Sequence, residues 1–383
     1  MVSEPAMQRM GKPRDINGKI AEFVKNVTEV GPDIPEVAKR MGEHKESVRY
    51  WFKKLIKQGI IVQPSVNFER MGLARVVVIA DFAKEFENQA EPILTAMSQL
   101  CYVHSFVKTL PEGSYIVKGT VPVESVGAWI EMMRRLGEEG LFTSLDFSTY
   151  DWARNAPMKS DLYDFEEGQW EFEWSTPAKV YPEAVEGPSA KVPVDRIDLE
   201  IIKWLQRDET KPLSEIHRET GINYKTLNFH YRKHVLGKQL LKGHRVNWIG
   251  TAYNPENERG KHRSHTYQPI DIVIKDITPG ERATLMGLTN AIPFLWFEAS
   301  GRSSYYVQLV FPTETISEAM QFLGRALEPV KERARWFMAD QRHSLWFTLE
   351  PRLFDNEVRA WRFNQSEVLA KFEELLLRIK SGR

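Results

Sequence analysis

The chain carries one sequence pattern twice, and this duplication constrains the fold more than any other feature. The segment SYIV that begins at Ser114 recurs as SYYV at Ser304, 190 positions later. Upstream of these segments, IPEVAKRMG from Ile34 recurs as LSEIHRETG from Leu213, 179 positions later. Two copies of one unit can pair inside a chain as two subunits pair in a homodimer. The repeat therefore predicts an intramolecular pseudo-dimer, and it leaves further homo-oligomerisation open.

The first part of each copy has the pattern of a winged helix-turn-helix. In residues 14–69 a glycine turn separates a short helix from a longer amphipathic helix. Two short apolar runs around Pro64 follow, and they predict a wing made of two strands. Residues 193–250 repeat this order, with Gly221 at the turn position of Gly42. The succession of helix, helix, glycine turn, helix and ribbon is that of a winged helix-turn-helix.

The second part of each copy predicts a different domain. Residues 70–150 and 267–350 alternate strand and helix patterns in the order βαββαβ, which is the ferredoxin-like order. The predicted fold class is therefore α+β, a tandem repeat of a winged helix-turn-helix and a ferredoxin-like βαββαβ domain. The remaining segments are predicted as a flexible tail (1–13), an acidic, aromatic arm with a proline-rich linker (151–192), a basic loop (251–266), and an arm with a C-terminal helix (351–383). The alternation of aromatic and charged residues in the arms is typical of an added edge strand and also of a surface that docks a partner.

Composition excludes several classes of protein. The 383 residues include 52 Lys and Arg and 52 Asp and Glu, so the whole chain is not a polycation, although both predicted helix-turn-helix modules have an excess of basic residues. The single cysteine, Cys101, excludes an internal disulfide and a multi-cysteine zinc site, and we expect it to be buried. The sequence shows neither a signal peptide nor an apolar run of the roughly 20 residues that span a bilayer. We therefore expect a cytoplasmic protein without a membrane partner.

Polar side chains on the outer face of each third helix predict contact with double-stranded DNA. Lys and Arg neutralise phosphates, whereas Ser, Thr and Asn can hydrogen-bond to base edges in the major groove. The predicted DNA-binding residues are Lys45, Ser47, Arg49, Tyr50, Lys53, Lys54, Tyr224, Lys225, Thr226, Asn228, Arg232, Lys233, Lys242 and Arg245. Because the two recognition helices differ in sequence, we expect an asymmetric DNA site. An ordinary solvated helix face and a protein-binding module are the alternatives to this interpretation.

The sequence contains few signals of metal binding or catalysis. His230 and His234 are four residues apart, a spacing that can chelate a metal ion on one helix face. No acidic or cysteine partner accompanies them at motif spacing. No phosphate loop, dinucleotide fingerprint or nucleophile elbow occurs. We therefore predict no catalytic residue, no metal and no cofactor, in a protein that is not an enzyme.

The arrangement resembles the Lrp/AsnC (leucine-responsive) family of transcriptional regulators in two tandem copies, over about residues 15–150 and 195–340. The resemblance rests on IPEVAKRMG, ESVRYWFKKLIKQGII, the segment NFERMGL and the strand ARVVVIADF. The family's opening Asp-x-x-Asp motif is matched by Asp195 and Asp198, whereas the first copy has only Asp15. The resemblance implies an archaeal-type, DNA-binding transcriptional regulator whose α/β domains pair through their sheets and can hold a small-molecule effector.

Two further functions share this architecture and stay open. Siroheme decarboxylases resemble Lrp proteins whose α/β domain holds a tetrapyrrole, and they carry a His-Asn-Tyr motif on the second strand. Here His104 is followed by Ser105 and Phe106, so the Asn and Tyr of that motif are missing. A general DNA-coating protein is the other alternative. The resemblance also places the effector loops of the family at residues 109–113 and 300–303.

Overall fold

The computed structural model describes residues 16–57, 60–165, 169–174, 189–248 and 267–380. The predicted tail and basic loop lie outside these residues. The first copy contains α1 (Ile16–Val30), α2 (Ile34–Met41), α3 (Lys45–Lys57), β1 (Ile61–Val66), β2 (Leu73–Phe82), α4 (Ala90–Leu100), β3 (Val103–Leu110), β4 (Tyr115–Pro122), α5 (Val126–Glu138), β5 (Phe142–Tyr150), β6 (Trp152–Asn155), β7 (Tyr163–Asp164) and β8 (Gln169–Trp170).

The second copy follows the same order. It contains α6 (Arg196–Arg207), α7 (Leu213–Thr220), α8 (Tyr224–Phe229), a π-helix (His230–Leu236) that continues α8, β9 (Leu241–Asn247), β10 (Tyr267–Lys275), α9 (Pro279–Ala291), β11 (Leu295–Ser300), β12 (Ser304–Pro312), α10 (Ile316–Leu327), β13 (Ala334–Trp346), β14 (Phe354–Asp355), β15 (Ala360–Trp361) and α11 (Gln365–Lys380).

Local sequence signals account for the first helix-turn-helix. The Asp33 side chain accepts a hydrogen bond from the backbone N–H of Glu36 and so caps α2. Helix α2 ends at Gly42, whose left-handed conformation (φ 62°) costs a glycine little. The apolar face of α3 contributes Val48 and Leu55 to the core of this module, and both are buried. Because that face is turned inward, the charged face of α3 is turned outward.

The predicted wings take a different form, because the strands that follow the two third helices pair with each other. Strands β1 and β9 run antiparallel, with Ile61 opposite Asn247. Pro64 lies within β1 opposite His244, and not in a hairpin turn. Proline is tolerated there because a two-stranded ribbon consists only of edge strands. The ribbon therefore joins the two helix-turn-helix modules and does not form a separate hairpin in each.

Each copy contains the predicted ferredoxin-like sheet. The strand order is β5-β2-β4-β3 in the first copy and β13-β10-β12-β11 in the second, and neighbouring strands are antiparallel. Strand β13 joins the two sheets, since its second half pairs with β3. Strand β6 joins them again, since it follows β5 after a single residue and pairs with β11. The nine strands thus close around a common interior, and the α+β fold class is confirmed.

Successive side chains of each strand point to opposite faces of the sheet, and both faces are packed. In β2, Val76 and Val78 face the helices and belong to the core beneath them. Val77 and Ile79 face the interior of the closed sheet, where residues of both copies meet. A charged side chain at an inward position is therefore enclosed by strands of both copies.

The two acidic, aromatic arms fold against the chain's own core. In the first arm, Trp170 stacks on Trp248 with ring centroids 5.9 Å apart. In the second arm, Phe354 pairs with Trp361, whose indole Nε1 donates to the backbone oxygen of Met71 at 2.8 Å. These contacts make the described parts of the arms covering elements of the fold.

Cys101 follows α4 and is completely buried, as predicted. No helix in the described part of the chain combines the length and the apolar character that crossing a membrane requires.

Candidate anion-binding cavity

A partly open cavity of about 210 Å³ lies between the closed sheet and the ribbon formed by β1 and β9. Strands of both copies line it, together with the Gln206 side chain of α6. The ionisable side chains in the lining are Arg75, His104, Lys118 and Arg245. Among the residues that the structure describes, no carboxylate lines the cavity. The lining of the cavity is therefore basic.

Arg75 enters the cavity from β2. Its guanidinium donates to the hydroxyl of Thr120 and lies over the ring of Phe68, 4.1 Å from the ring centroid. Burial lowers the pKa of Arg75 to about 10, and the nearby Glu69 carboxylate opposes this shift. The side chain thus stays charged at neutral pH. Its Nε atom has no hydrogen-bond partner in the described part of the chain, so it can donate to an anion.

Arg245 enters from β9 and is 3% exposed. Its Nη1 atom donates to the backbone oxygen of Trp296 at 2.8 Å, and the guanidinium lies 3.1 Å from the centroid of the Trp296 ring. Burial holds the pKa of Arg245 well below its ordinary value. Nε and Nη2 have no hydrogen-bond partner among the described residues. Because unpaired buried donors cost free energy, the site favours an anion that accepts from them.

The structure corrects two predicted DNA contacts on the ribbon. Arg245 points into the cavity. Lys242 forms an ion pair with Glu69 at 2.6 Å and donates to the backbone oxygen of Ala153 at 2.8 Å. Both side chains are turned toward the α/β domains because the ribbon packs on those domains. Neither side chain is available to DNA in this arrangement.

Lys118 and Asp271 form an ion pair between the two copies, with Nζ of Lys118 3.3 Å from Oδ1 of Asp271. The same oxygen accepts hydrogen bonds from the Tyr306 phenol and from the Gln308 amide, the latter at 3.0 Å. Burial lowers the pKa of Lys118, and the Asp271 carboxylate opposes this shift only in part. Burial and the same carboxylate raise the pKa of Tyr306 well above its ordinary value, so the phenol keeps its proton.

His104 lies on β3 in the same lining. Burial lowers the pKa of His104 well below its ordinary value, and the charges of Arg75 and Lys118 lower it further. The imidazole is therefore neutral near pH 7, and it packs edge-on against Phe68 with ring centroids 5.4 Å apart. A neutral imidazole offers one donor and one acceptor nitrogen to a ligand.

The other predicted DNA-binding residues lie on the surfaces of the two helix-turn-helix modules. Nine are exposed, namely Lys45, Arg49, Tyr50, Lys53, Lys54, Tyr224, Lys225, Arg232 and Lys233. Three are half-buried, namely Ser47, Thr226 and Asn228. Arg49 forms an ion pair with Glu46 of its own helix at 2.5 Å. The fold therefore presents two separate polar faces, one in each module.

Sequence reasoning missed Arg75 and Lys118. Each is a single basic residue within an otherwise largely apolar strand, and this was the available signal. Arg75 lies two positions before Val77 on β2, and Lys118 lies two positions after Ile116 on β4, so each basic residue shares a strand face with its apolar neighbour. Val77 and Ile116 face the interior of the closed sheet. Strand parity can be read from a sequence, but the pairing of two sheets decides which face is enclosed.

Comparisons with known proteins bear on the fold. No family model matches the sequence, and no curated protein matches it. Among solved structures, the siroheme decarboxylase NirDL matches with a TM-score of 0.51 and 10% sequence identity, over 92% of this chain and 98% of that chain. A transcriptional regulatory protein of the AsnC family from Pyrococcus furiosus matches with a TM-score of 0.24 and 16% identity, over 36% of this chain and 89% of that chain.

The match to the decarboxylase concerns architecture, since such low identity establishes a shared fold only. The AsnC-family protein matches about a third of this chain with a low TM-score, so the resemblance to the Lrp/AsnC family stays a prediction. The prediction that the chain is not an enzyme is contradicted, because a solved structure that matches its fold over nearly the whole length is that of an enzyme.

Proposed function

We propose that this chain is an enzyme that binds a small molecule with several carboxylates in the cavity and removes a carboxyl group from it. The observation that carries the proposal is the basic lining of the cavity, where Arg75 and Arg245 keep donor nitrogens without a partner among the described residues, beside Lys118 with its counter-ion Asp271. Guanidinium groups pair with carboxylates through parallel hydrogen bonds, and such pairs strengthen where water is excluded. The unpaired nitrogens of Arg245 supply donors for one such pair.

The shape of the cavity favours a flat ligand with anionic arms. A volume of about 210 Å³ is below the roughly 300–1,000 Å³ of typical small-molecule sites, so the enclosed part suits the arms and the opening suits the body of the ligand. The rings of Phe68, Trp296 and Phe297 line the same space. A carboxylated tetrapyrrole combines these features. Siroheme is the first substrate to test, because the enzyme with the same fold is a siroheme decarboxylase.

The proposed reaction requires a proton. Decarboxylation breaks the bond between the carboxylate carbon and its neighbouring carbon, releases CO₂ and leaves the electron pair on that neighbour, which then takes up a proton. Lys118 is the residue best suited to supply the proton, since burial lowers the pKa of its ammonium group and so makes it a stronger acid. Arg75 and Arg245 hold other carboxylates of the same ligand, and His104 stays neutral beside them.

Incubation of the purified chain with siroheme tests this function. The tetrapyrrole spectrum is expected to shift on binding, and mass spectrometry is expected to show products that have lost CO₂. Heat-unfolded protein is the control, because spontaneous decarboxylation proceeds equally with and without folded protein. Binding without mass loss would reject the enzymatic part and identify an effector site, and the absence of both signals would reject siroheme as ligand.

A second function is favoured by the exposed polar faces of the two helix-turn-helix modules. We propose that they bind double-stranded DNA with preference for an asymmetric site, as expected of a transcriptional regulator with two different recognition helices. Arg232 and Lys233 are exposed on the second module, and Lys53 and Lys54 are exposed on the first. Such groups neutralise phosphates, so binding should weaken steeply as the salt concentration rises.

Arg232→Ala is expected to weaken binding to every duplex and to reduce the salt slope by about one, because an arginine on a phosphate releases about one counterion. Salt-dependent titrations with genomic fragments measure both quantities. Arg325→Ala is the matched control, since Arg325 is also exposed but lies on α10 of the second α/β domain. Equal affinity and equal slope for Arg232→Ala and the wild type at low salt would contradict the DNA contact.

A further inference from the structure

Four side chains that commonly bind metals converge in the second helix-turn-helix module. Asp195 and Asp198 stand at the start of α6, and His230 and His234 lie on the π-helix that continues α8. One ligand atom of each lies within 4.8 Å of the corresponding atoms of the other three. In the sequence, the two histidines have no acidic partner at motif spacing. The fold brings them such partners, and Asp198 precedes His230 by 32 positions.

The distances between these atoms fit a tetrahedral metal site. Nδ1 of His230 lies 2.8 Å from Oδ1 of Asp198 and 3.5 Å from Oδ1 of Asp195. Nδ1 of His234 lies 3.0 Å from Oδ1 of Asp198 and 3.9 Å from Oδ2 of Asp195. Ligand atoms at about 2.0–2.2 Å from a tetrahedral zinc ion stand roughly 3.3–3.6 Å apart. The four nitrogen–oxygen distances, which involve both oxygens of Asp195, lie on either side of this separation.

Backbone N–H groups hold both carboxylates in place. Oδ1 of Asp195 accepts from the N–H groups of Ile197 and Asp198, at 2.9 and 3.1 Å. Oδ2 of Asp198 accepts from the N–H of Asp195 at 3.1 Å, which completes a reciprocal capping box. Oδ1 of Asp198 is left free to face both histidines, and both oxygens of Asp195 lie within 4 Å of a histidine nitrogen. Hydrogen bonds of this kind orient the carboxylate ligands of metal ions and strengthen binding.

The irregular helix supplies the histidine pair. In the first copy the corresponding positions are Trp51 and Leu55, and α3 is a regular α-helix. In the second copy the helix changes to the π form at His230, and π-segments occur frequently at functional sites. The side chains of His230 and His234 are 12% and 22% exposed, so the cluster is shielded from water but can be reached by an ion.

We propose that Asp195, Asp198, His230 and His234 bind one divalent transition-metal ion. Zinc suits a donor set of two imidazole nitrogens and two carboxylate oxygens, whereas calcium and magnesium prefer oxygen ligands alone. The ion links the start of α6 to the helix that carries Arg232, and it thereby rigidifies the second recognition face. The site shares no residue with the cavity, so it stands independently of the proposed enzymatic function.

Metal titration of the full chain tests the proposal. After treatment with a chelator, Co²⁺ is expected to produce the intense visible absorption of a tetrahedral site, and zinc is expected to abolish it. One ion should bind per chain, and zinc should raise the midpoint of thermal unfolding, because a ligand that binds only the folded state stabilises that state. If the wild type shows neither the cobalt spectrum nor a zinc-dependent rise of the midpoint, the four residues form only a hydrogen-bonded cluster and the proposal fails.

Substitutions separate a metal site from ordinary histidine–carboxylate hydrogen bonds. His230→Asn and His234→Asn are expected to weaken zinc binding by more than about 100-fold, the upper end of the loss caused by removing an outer partner of a metal ligand. His217→Asn, on α7 of the same module, should leave zinc affinity unchanged. Circular dichroism establishes that each variant is folded. Equal zinc affinity of folded His234→Asn and the wild type would overturn the assignment.

Discussion

Replacing Asp271 by alanine is expected to lower the free energy of unfolding by about 3–5 kcal/mol, the usual cost of removing one partner of a buried ion pair. The Asp271 carboxylate is fully buried, and it is the acceptor for Lys118, Tyr306 and Gln308. Its removal leaves the Lys118 ammonium in the cavity wall without a counter-charge, and it leaves the buried Tyr306 phenol and the half-buried Gln308 amide without their acceptor. Equilibrium urea unfolding followed by tryptophan fluorescence measures the change.

The double variant Lys118→Met/Asp271→Leu is the control for this result. Replacing both partners of a buried ion pair by apolar residues is often neutral or stabilising, so we expect most of the lost stability to return. A loss below about 1 kcal/mol for Asp271→Ala would place the pair among exposed ion pairs, contrary to its burial. A double variant no more stable than Asp271→Ala would also contradict the interpretation.

Arg245→Met is expected to weaken ligand binding in the cavity by about 10- to 150-fold, which corresponds to ~1.5–3 kcal/mol for hydrogen bonds to a charged group. The stability of the folded chain is expected to stay constant or to rise. The reason is that Arg245 is buried with two nitrogens that have no partner among the described residues, and methionine fills similar space without a charge. A spectral titration with siroheme and a urea unfolding curve measure the two effects.

Opposite changes in affinity and stability distinguish a binding residue from a structural one. Substitution of an arginine that supports the fold would lower the stability of the chain. Substitution of an arginine that binds the ligand lowers the affinity for the ligand and leaves the stability of the chain unchanged or higher. Arg135→Met is the matched control, because Arg135 is an exposed residue of α5 that pairs with Glu131. Unchanged siroheme affinity in Arg245→Met would show that Arg245 does not bind the ligand. A large loss of stability would show that Arg245 supports the fold.

The helices and the two ferredoxin-like units were predictable because their determinants are local. Gly42 ends α2 with a positive φ that favours glycine, and the spacing of Val48 and Leu55 sets the buried face of α3. The strand patterns between residues 70 and 150 define βαββαβ without reference to the other copy. The length of β13 was not predictable in this way, because the strand runs from Ala334 to Trp346 in order to bridge two sheets.

The candidate sites were less predictable because they depend on distant contacts. Arg245 was predicted to contact DNA on the assumption that β9 folds into its own wing. The structure places it opposite Gln63 of the other copy, which turns its side chain into the cavity. His230 and His234 lacked an acidic partner in the sequence, and the packing of α6 on the third helix provides Asp195 and Asp198.

The sequence alone determined that the chain is a duplicated unit of a helix-turn-helix and an α/β domain, because turns, caps and apolar periodicity act over a few residues. Tertiary structure alone decided that β1 pairs with β9, that the sheets close at both edges, and that basic side chains are enclosed between the copies. The physical reason is that a strand edge can pair with any suitable partner. The choice depends on the total burial and hydrogen bonding of the assembled chain, which local patterns do not encode.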